Sequence, residues 1–369
     1  MNRLTLSTVL ILLASHISMG GISSRDTLYN KSVSVNLIAG YLQYHYDEMA
    51  VLRNRPANGF EISLNKSADG SMLWHKFYGY PKYGLTYSFL DLGSRNTLGF
   101  AHCLSPFINV PLFNSNKFYF GLLISTGMSY NSKTYSELNN PDNIAISSPF
   151  NAYINLGVTT GFEINEFWAL ESSFRLAHFS NGTFRKPNAG LNYTLFSLGV
   201  KYSYSPSKIN TDKYQYSFSD NTNRILIVGY GSYKEIKDPG GLKYGVGAFS
   251  VEYSRPVKAL WRYGFSWDLM YDQSHKTILE LENVNWDSKW QLYKSGVTFN
   301  TEFILNRLSA IFYFGGYLYN KSININNEYL YQRLGLRYRV NSMIWLNLSL
   351  KTHWNVADYV EMGVAIKVH

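Results

Sequence analysis

Cysteine and charge are both scarce in this chain of 369 residues, which contains one cysteine and has only 16% charged residues. A single cysteine excludes a disulfide framework and any cysteine-rich zinc or iron–sulfur site. Aromatic residues make up 17% of the chain, and this excess together with the low charge excludes an intrinsically disordered protein. The 28 glycines show no Gly-X-Y period and there are only 10 prolines, so a collagen-like structure is excluded as well.

The usual signatures of nucleotide, metal and nucleic-acid binding are also missing. The sequence has no P-loop, no GxGxxG ahead of a helical pattern and no HExxH, and its eight histidines show no metal-ligand spacing. Basic residues do not form a cluster, although the formal net charge is +9. We therefore expect no cofactor, no metal and no nucleic-acid partner. We assign the positive charge to contact with an anionic lipid surface or to the interior of the fold.

The first twenty residues have the organisation of a secretory signal peptide. A short positive segment at 1–3 precedes an apolar stretch at 4–14, and small residues at positions 18 and 20 suit a cleavage site. The alternative, an N-terminal membrane anchor, needs a longer apolar stretch. No later part of the chain approaches eighteen unbroken apolar residues. We therefore expect export, removal of 1–20, and no transmembrane helix in the mature chain.

The rest of the chain alternates between apolar and polar residues with a period of two, which indicates β-strands. Over 117–130, for example, Phe118, Phe120 and Leu122 share one face, while Tyr119 and Gly121 take the other. Most segments run for ten to fourteen residues. A strand of a globular protein averages about five or six residues, whereas a tilted membrane strand needs about nine to eleven. The segments are 34–46, 58–67, 82–92, 97–107, 117–130, 151–164, 167–179, 191–204, 224–235, 243–254, 260–271, 292–305, 308–319, 330–340, 344–354 and 359–368.

The lengths of the connections indicate a membrane barrel. Very tight turns at 165–166, 306–307 and 341–342 all follow even-numbered segments, and long connections such as 131–150 follow odd-numbered ones. Outer-membrane barrels have short periplasmic turns and long external loops. We predict an all-β, transmembrane antiparallel β-barrel of about 14–16 strands, forming one domain over 21–369 with both termini in the periplasm.

Two connections, 68–81 and 205–223, are long on the side where short turns are expected, and this leaves the strand count open by two. The alternative fold is one or two soluble, secreted β-sandwiches. Heat-modifiable migration on gels after detergent extraction distinguishes a membrane barrel from a sandwich.

Three polar residues fall together at the outer end of the apolar, lipid-facing side of this predicted sheet. His178 and Ser180 are two residues apart on one strand, so they point to the same face. The hairpin across 181–190 brings Asn192 of the next strand opposite them. A serine beside a histidine, with a third group that orients the imidazole, suits nucleophilic acyl transfer. The alternative is a polar pair at the membrane interface without a catalytic role.

The sequence HFSNG at 178–182, followed by PNAGLN at 187–192, resembles the motif of the lipid A 3-O-deacylase (PagL-like) family, also called acyloxyacyl hydrolases. The resemblance extends to NPDN at 140–143 and SPFN at 148–151, and it covers most of the mature chain. It matches the long form found in Gram-negative outer membranes. The resemblance therefore implies an outer-membrane location, with lipid A of lipopolysaccharide as the partner.

The resemblance also implies a mechanism for hydrolysing an ester-linked acyl chain. Ser180 is expected to act as the nucleophile and His178 as the general base. The residues expected to hold the oxyanion or the substrate are Asn181, Gly182 and Asn188. Asn192 occupies the place where the best-known family members have glutamate. It can fix the imidazole tautomer, but it cannot offset the imidazolium charge.

A second function remains open at the level of the sequence, namely a catalytically silent structural barrel or a pore. About sixteen strands could enclose a channel. The side chains that face the interior decide this, because bulky tyrosines and charge networks would block a channel and rings of small polar residues would open one. We expect His353 and Glu361 to make hydrogen bonds inside the barrel rather than form a second site.

Overall fold

The structure, a computed structural model, describes residues 28–44, 46–115, 117–207, 222–236, 241–285, 288–321, 329–354 and 356–368. The predicted signal peptide, 1–20, lies outside the described residues. The strands are β1 (Leu28–Leu42), β2 (Ala57–Ser67), β3 (Lys82–Asp91), β4 (Phe100–Asn114), β5 (Phe118–Asn131), β6 (Phe150–Glu163), β7 (Trp168–Ser180), β8 (Leu191–Ser207), β9 (Arg224–Lys234), β10 (Tyr244–Lys258), β11 (Trp261–Asp272), β12 (Tyr293–Leu305), β13 (Leu308–Tyr319), β14 (Leu330–Arg339), β15 (Ile344–His353) and β16 (Val356–Lys367).

Short helices lie in the connections between some of these strands. Helix α1 (Leu73–Phe77) lies between β2 and β3, and helix α2 (Ser274–Leu281) lies between β11 and β12. Two 3₁₀ helices are Asp47–Leu52 and Lys289–Leu292. Within the described residues, none of the helices is both long enough and apolar enough to cross a membrane.

The strands close into two barrels, each of eight antiparallel strands. In the first barrel β8 pairs with β1, and in the second β16 pairs with β9. The predicted all-β antiparallel barrel with about sixteen strands is confirmed, but the single closed sheet expected over 21–369 is replaced by two. Alternation along a strand shows which residues share a face. It does not show which strand closes the sheet, because closure pairs residues as distant as Leu28 and Ser207.

The two exceptional connections now have separate explanations. The connection 68–81 contains α1, so its length reflects a helix beyond the strands. The connection predicted at 205–223 is described only at its ends, because 208–221 lie outside the described residues. It follows β8, which closes the first barrel, and precedes β9, which belongs to the second. It therefore joins two barrels and is not a hairpin turn of either, which is why it broke the expected order of lengths.

Both barrels expose apolar side chains on their outer surfaces. In β7 and β8 the alternate residues Phe174, Leu176, Phe196 and Leu198 are 49–55% exposed. In the second barrel Phe265, Val297, Phe299 and Leu348 are exposed in the same way. A membrane-spanning barrel shows this pattern, with lipid-facing apolar residues that alternate with inward-facing polar ones.

Charged and hydrogen-bonding side chains fill the interior of the first barrel. Arg175 of β7 donates to Glu61 of β2 at 2.5 Å, and Asn36 of β1 donates to the same carboxylate at 3.3 Å. Glu171 accepts from Ser34 at 2.8 Å and from Tyr119. A polar cavity of about 70 Å³ lies among these groups. Beyond this layer, an apolar cluster closes the end of the barrel at which β7 ends, and its members include Leu52, Tyr153, Phe179 and Leu191.

Ion pairs fill the second barrel. Arg337 of β14 donates to Glu252 of β10 at 2.9 Å, to the hydroxyl of Tyr313 at 3.0 Å and to the amide oxygen of Asn347 at 2.9 Å. Further interior pairs join Arg333 to Asp268, Arg224 to Glu302, and Lys234 and Lys351 to Asp358. Eight strands leave an interior that side chains can fill, and these charges occupy it with paired partners.

Two of the residues assigned from sequence to interior hydrogen bonds make such bonds in the second barrel. The Tyr317 hydroxyl and His353 Nε2 lie 2.8 Å apart, and Ser349 donates to Glu361 at 2.8 Å. Both residues therefore belong to the packing of the barrel interior.

Candidate active site on the outer surface of the first barrel

The end of β7 carries the candidate residues on its outward face. Phe174 and Leu176 of this face are exposed, whereas Ala177 and Phe179 of the inward face are 1% and 0% exposed. Because alternate residues of a strand share a face, His178 and Ser180 lie on the same outward face as Phe174 and Leu176. In the neighbouring strands His178 pairs with Ile154 of β6 on one side and Asn192 of β8 on the other. The structure therefore has His178 and Ser180 at the end of β7 and Asn192 opposite His178, as the alternation predicts, and their role in a site stays a prediction.

His178 is oriented by Asn192. Its Nδ1 lies 2.6 Å from the side-chain oxygen of Asn192, directly across the register of β7 and β8. Because an amide oxygen only accepts hydrogen bonds, Nδ1 carries the hydrogen in this contact. The neutral imidazole then presents Nε2 as an unprotonated base.

Ser180 is held by Asn188. The hydroxyl is nearly buried, with 6% of Ser180 exposed, and Asn188 Nδ2 donates to Ser180 Oγ at 2.9 Å. The amide oxygen of Asn188 in turn accepts from the backbone N–H of Asn181 at 3.2 Å. Both polar atoms of the Asn188 side chain are therefore used, and the direction of its amide is fixed by the two partners together.

Glycines shape the two ends of the β7–β8 connection. Gly182 and Gly190 have φ angles of +61° and +75°, a region that L side chains adopt rarely. At Gly190 a Cβ atom would lie 3.0 Å from His178 Cε1 and 3.7 Å from His178 Nε2. Gly190 therefore keeps the space beside the imidazole open. Thr183 also has a positive φ, +66°, so the turn after Gly182 continues with the same handedness.

The connection between β5 and β6 also contacts this site, although the alternation along the chain does not predict it. Ser147 accepts from Asn181 Nδ2 at 3.2 Å. The carbonyls of Ile144 and Ala145 accept from the backbone N–H groups of Ala189 and Gly190 at 3.2 and 3.0 Å. Three residues of one connection thus support both ends of another. The signals in the sequence were the NPDN segment at 140–143 and the SPFN segment at 148–151, and neither was assigned to the site.

Five of the six residues predicted from the sequence contact one another in two groups. His178 contacts Asn192, and Ser180 contacts Asn188, which contacts Asn181. Gly182 follows directly and is buried. Among the described residues, no three histidine, cysteine, aspartate or glutamate side chains lie close enough together to hold a metal ion. Chemically, the arrangement offers a hydroxyl, an oriented imidazole and an amide donor on a surface that faces lipid.

Two protein families match separate parts of the chain. Residues 58–201 match the family "Lipid A 3-O-deacylase (PagL)", and residues 223–369 match "Acyloxyacyl hydrolase, C-terminal domain". The first match contains the whole site and most of the first barrel, and the second covers the second barrel. The chain is therefore similar to the PagL deacylases over most of its first barrel and to the acyloxyacyl hydrolases over its second. With apolar outer surfaces on both barrels, the protein is located in the outer membrane.

Solved structures resemble this chain at low sequence identity. The outer membrane enzyme PagL has 18% identity and a TM-score of 0.32, covering 46% of this chain and 99% of its own. Neisserial surface protein A has 13% identity and a TM-score of 0.30, covering 49% of this chain and 100% of its own. No curated protein matches this chain. The similarity to these deacylases and hydrolases therefore rests on the two family matches.

Proposed function

We propose that this protein hydrolyses an ester-linked acyl chain of lipid A, with Ser180 as nucleophile and His178 as general base. The observation that carries the proposal is the 2.6 Å contact between His178 and Asn192 on the outward face, with Ser180 two residues further along the same strand. Polar side chains are costly on a lipid-facing surface, and an oriented histidine beside a serine there favours chemistry on lipid.

In the first half of the reaction Ser180 Oγ attacks the carbonyl carbon of the ester. The hydroxyl proton passes to Nε2 of His178, and a tetrahedral oxyanion forms. The imidazolium then gives this proton to the sugar oxygen as the carbon–oxygen bond breaks. The products of this half are the freed sugar hydroxyl and an acyl group on Ser180.

Asn188 is suited to stabilise the oxyanion. Its Nδ2 lies 2.9 Å from Ser180 Oγ, so a donor is already beside the atom that forms the new bond. The backbone N–H of Asn181 donates to Asn188 and thus orients this amide rather than facing the substrate directly. Gly182, which follows Asn181 directly, is the other residue that we assign to this role. Removing one oxyanion donor costs about 10²–10³ in kcat in other acyl hydrolases.

In the second half water replaces the acyl group. His178 Nε2 takes a proton from water, the hydroxide attacks the acyl carbon, and the proton returns to Ser180 Oγ as that bond breaks. A free fatty acid leaves and the enzyme is restored. Because the site faces the membrane, both the substrate and the released fatty acid remain in the lipid phase.

The test of this proposal is the mass of lipid A incubated with purified protein in detergent. The wild type should remove one acyl mass, and Ser180→Ala and His178→Ala should abolish this, because the two groups act as one unit. Ser172→Ala is the matched control, since Ser172 lies on the same face of β7 and contacts Thr160. Unchanged lipid A with the wild type would refute the proposal, and turnover by Ser180→Ala would place the nucleophile elsewhere.

The alternative function is a structural barrel or a pore without turnover. The interior ion pairs and tyrosines of the described residues argue against a pore, since they occupy the lumen of the second barrel. A silent structural protein would leave lipid A intact in the same assay, so the mass measurement separates the two functions.

A further inference from the structure

Asn143 is fully buried in the connection between β5 and β6, at 0% exposure. Its Nδ2 donates to the carbonyl oxygens of Thr97 at 3.0 Å and Lys133 at 3.3 Å. Its Oδ1 accepts from the backbone N–H of Ile146 at 3.1 Å. One side chain therefore ties the turn at 143–146 to Thr97 of the β3–β4 connection and to Lys133 at the start of the β5–β6 connection.

The segment held by this turn is the one that supports the candidate active site. The carbonyls of Ile144 and Ala145 accept from Ala189 and Gly190, and Ser147 accepts from Asn181. These three contacts hold the β7–β8 connection at both of its ends, at Asn181 and at 189–190. Asn188 lies next to Ala189, so the position of its amide depends on these contacts.

Asparagine is suited to this place for a specific chemical reason. The site requires two donated bonds and one accepted bond from a single short side chain, and a carboxamide supplies both. Aspartate has the same shape but only accepts, so it would face the carbonyls of Thr97 and Lys133 with a second acceptor. Alanine removes all three bonds.

We propose that Asn143 is a positioning residue for the reaction. It fixes the segment 144–147, which in turn holds Asn181 and the 188–190 arm, and it thereby sets the Asn188 amide against Ser180 Oγ. The inference rests on the proposed deacylation, and it adds a residue that does not touch the substrate.

The experiment compares kcat and KM for lipid A in detergent among the wild type, Asn143→Asp and Asn143→Ala. A misplaced donor should lower kcat by about 10- to 100-fold, as displacements of about 1 Å do in other enzymes. KM should change little, because the acyl-binding surface is untouched. Ser147→Ala is a milder second variant that removes only the bond to Asn181, so it tests the same path if the Asn143 variants fold poorly.

A double-mutant cycle with Asn188→Ala separates positioning from a merely structural role. If Asn143 acts through Asn188, Asn143→Asp should have almost no further effect on kcat once Asn188 is alanine. Asn155→Ala is the matched control, since Asn155 is a buried asparagine, 3% exposed, on the inward face of β6. It should leave kcat per folded molecule unchanged.

Several results would overturn the inference. Full activity of both Asn143→Asp and Ser147→Ala with an active wild type would refute it while leaving the proposed function intact. Additive losses in the cycle, or a loss explained entirely by the unfolded fraction on gels, would make Asn143 purely structural. An inactive wild type would refute the proposed function, and this inference with it.

Discussion

Asn192 accepts a hydrogen bond from His178 with an oxygen that carries no net charge. In the mechanism we propose, it holds the imidazole tautomer but stabilises the imidazolium less than a carboxylate would. Asn192→Ala should lower kcat, because His178 then loses the group that holds its tautomer, and a wrong imidazole tautomer costs about 10⁴-fold in a serine-protease triad. Asn192→Glu should keep or raise kcat, because a carboxylate adds the missing charge.

The matched control for Asn192 is Thr194→Ala, since Thr194 lies two residues along β8 and pairs with Leu176. Deacylation of lipid A in detergent is the measurement. A full wild-type rate for Asn192→Ala would remove this residue from the mechanism while leaving Ser180 and His178 in it.

Gly190 gives a second prediction for a single residue. Gly190→Ala places a methyl group 3.0 Å from His178 Cε1 on a backbone with φ +75°. We expect kcat to fall by about 100-fold, the effect of a displacement of about 1 Å. Gly229→Ala is the control, because a Cβ there meets no atom of the described residues within 4 Å. Equal activity of both variants would mean that the imidazole tolerates the methyl group.

Helix α2 contains a buried histidine, His275, whose protonation should change the stability of this connection. His275 is 0% exposed, and its Nδ1 donates to the carbonyl of Gln291 at 2.5 Å. Burial, with a smaller contribution from the positive charge of Lys294, lowers the pKa of His275 from its ordinary 6.5 to about 4. The neutral form is therefore the one that stabilises the folded connection.

The stability that depends on neutral His275 is fully present above pH 6.5 and is lost as the pH falls from 6.5 towards 4. At pH 5 the loss should be about 2 kcal/mol of local opening free energy. Amide exchange over 274–285 and 288–292, corrected for its intrinsic pH dependence, measures it. His275→Gln should remove most of the pH dependence, and protection that is equal at pH 7.5 and pH 5 in the wild type would contradict the expectation.

Strands were predictable from the sequence, while the elements between them were not. The segments 58–67 and 308–319 agree within one residue with β2 and β13, because a period of two is local and strong. Helix α2 was missed inside a connection that carried no such period. The hydrogen bond from His275 to Gln291 spans sixteen positions, and local propensity cannot reveal a contact of that kind.

In the candidate site, too, the residues on strands were predictable and the contacts between connections were not. Alternation along the strands predicts His178 and Ser180 on one face with Asn192 opposite, and in the structure His178 pairs with Asn192. Asn143 and Ser147 reach the site through contacts between connections. Nothing in the spacing of residues along the chain encodes those contacts.

At the scale of the whole molecule, the described strands form two separately closed sheets, and we expect an interior defect in one barrel to leave the chemistry of the other intact. Arg337→Met leaves Glu252, 3% exposed, without its guanidinium partner. Breaking a buried ion pair in this way costs about 3–5 kcal/mol. The second barrel should unfold at a lower temperature, while folded molecules deacylate lipid A at the wild-type rate.

Thermal unfolding followed on heat-modifiability gels measures the effect of Arg337→Met. The double variant Arg337→Met with Glu252→Leu should recover much of the loss, since no buried charge then lacks a partner. An unchanged unfolding temperature for Arg337→Met would mean that this interior pair does not stabilise the barrel.

Because His178 and Ser180 lie on the outward face, the rate of the proposed reaction should depend on the concentration of lipid A within the membrane or micelle rather than in the bulk solution. A site on the outer wall of a barrel meets its substrate by lateral diffusion in two dimensions, so encounter depends on how much of the surrounding lipid is substrate. In mixed micelles the rate should follow the mole fraction of lipid A and fall when inert detergent is added at constant bulk lipid A. A rate that tracks only the bulk concentration would mean that the ester reaches the serine through water.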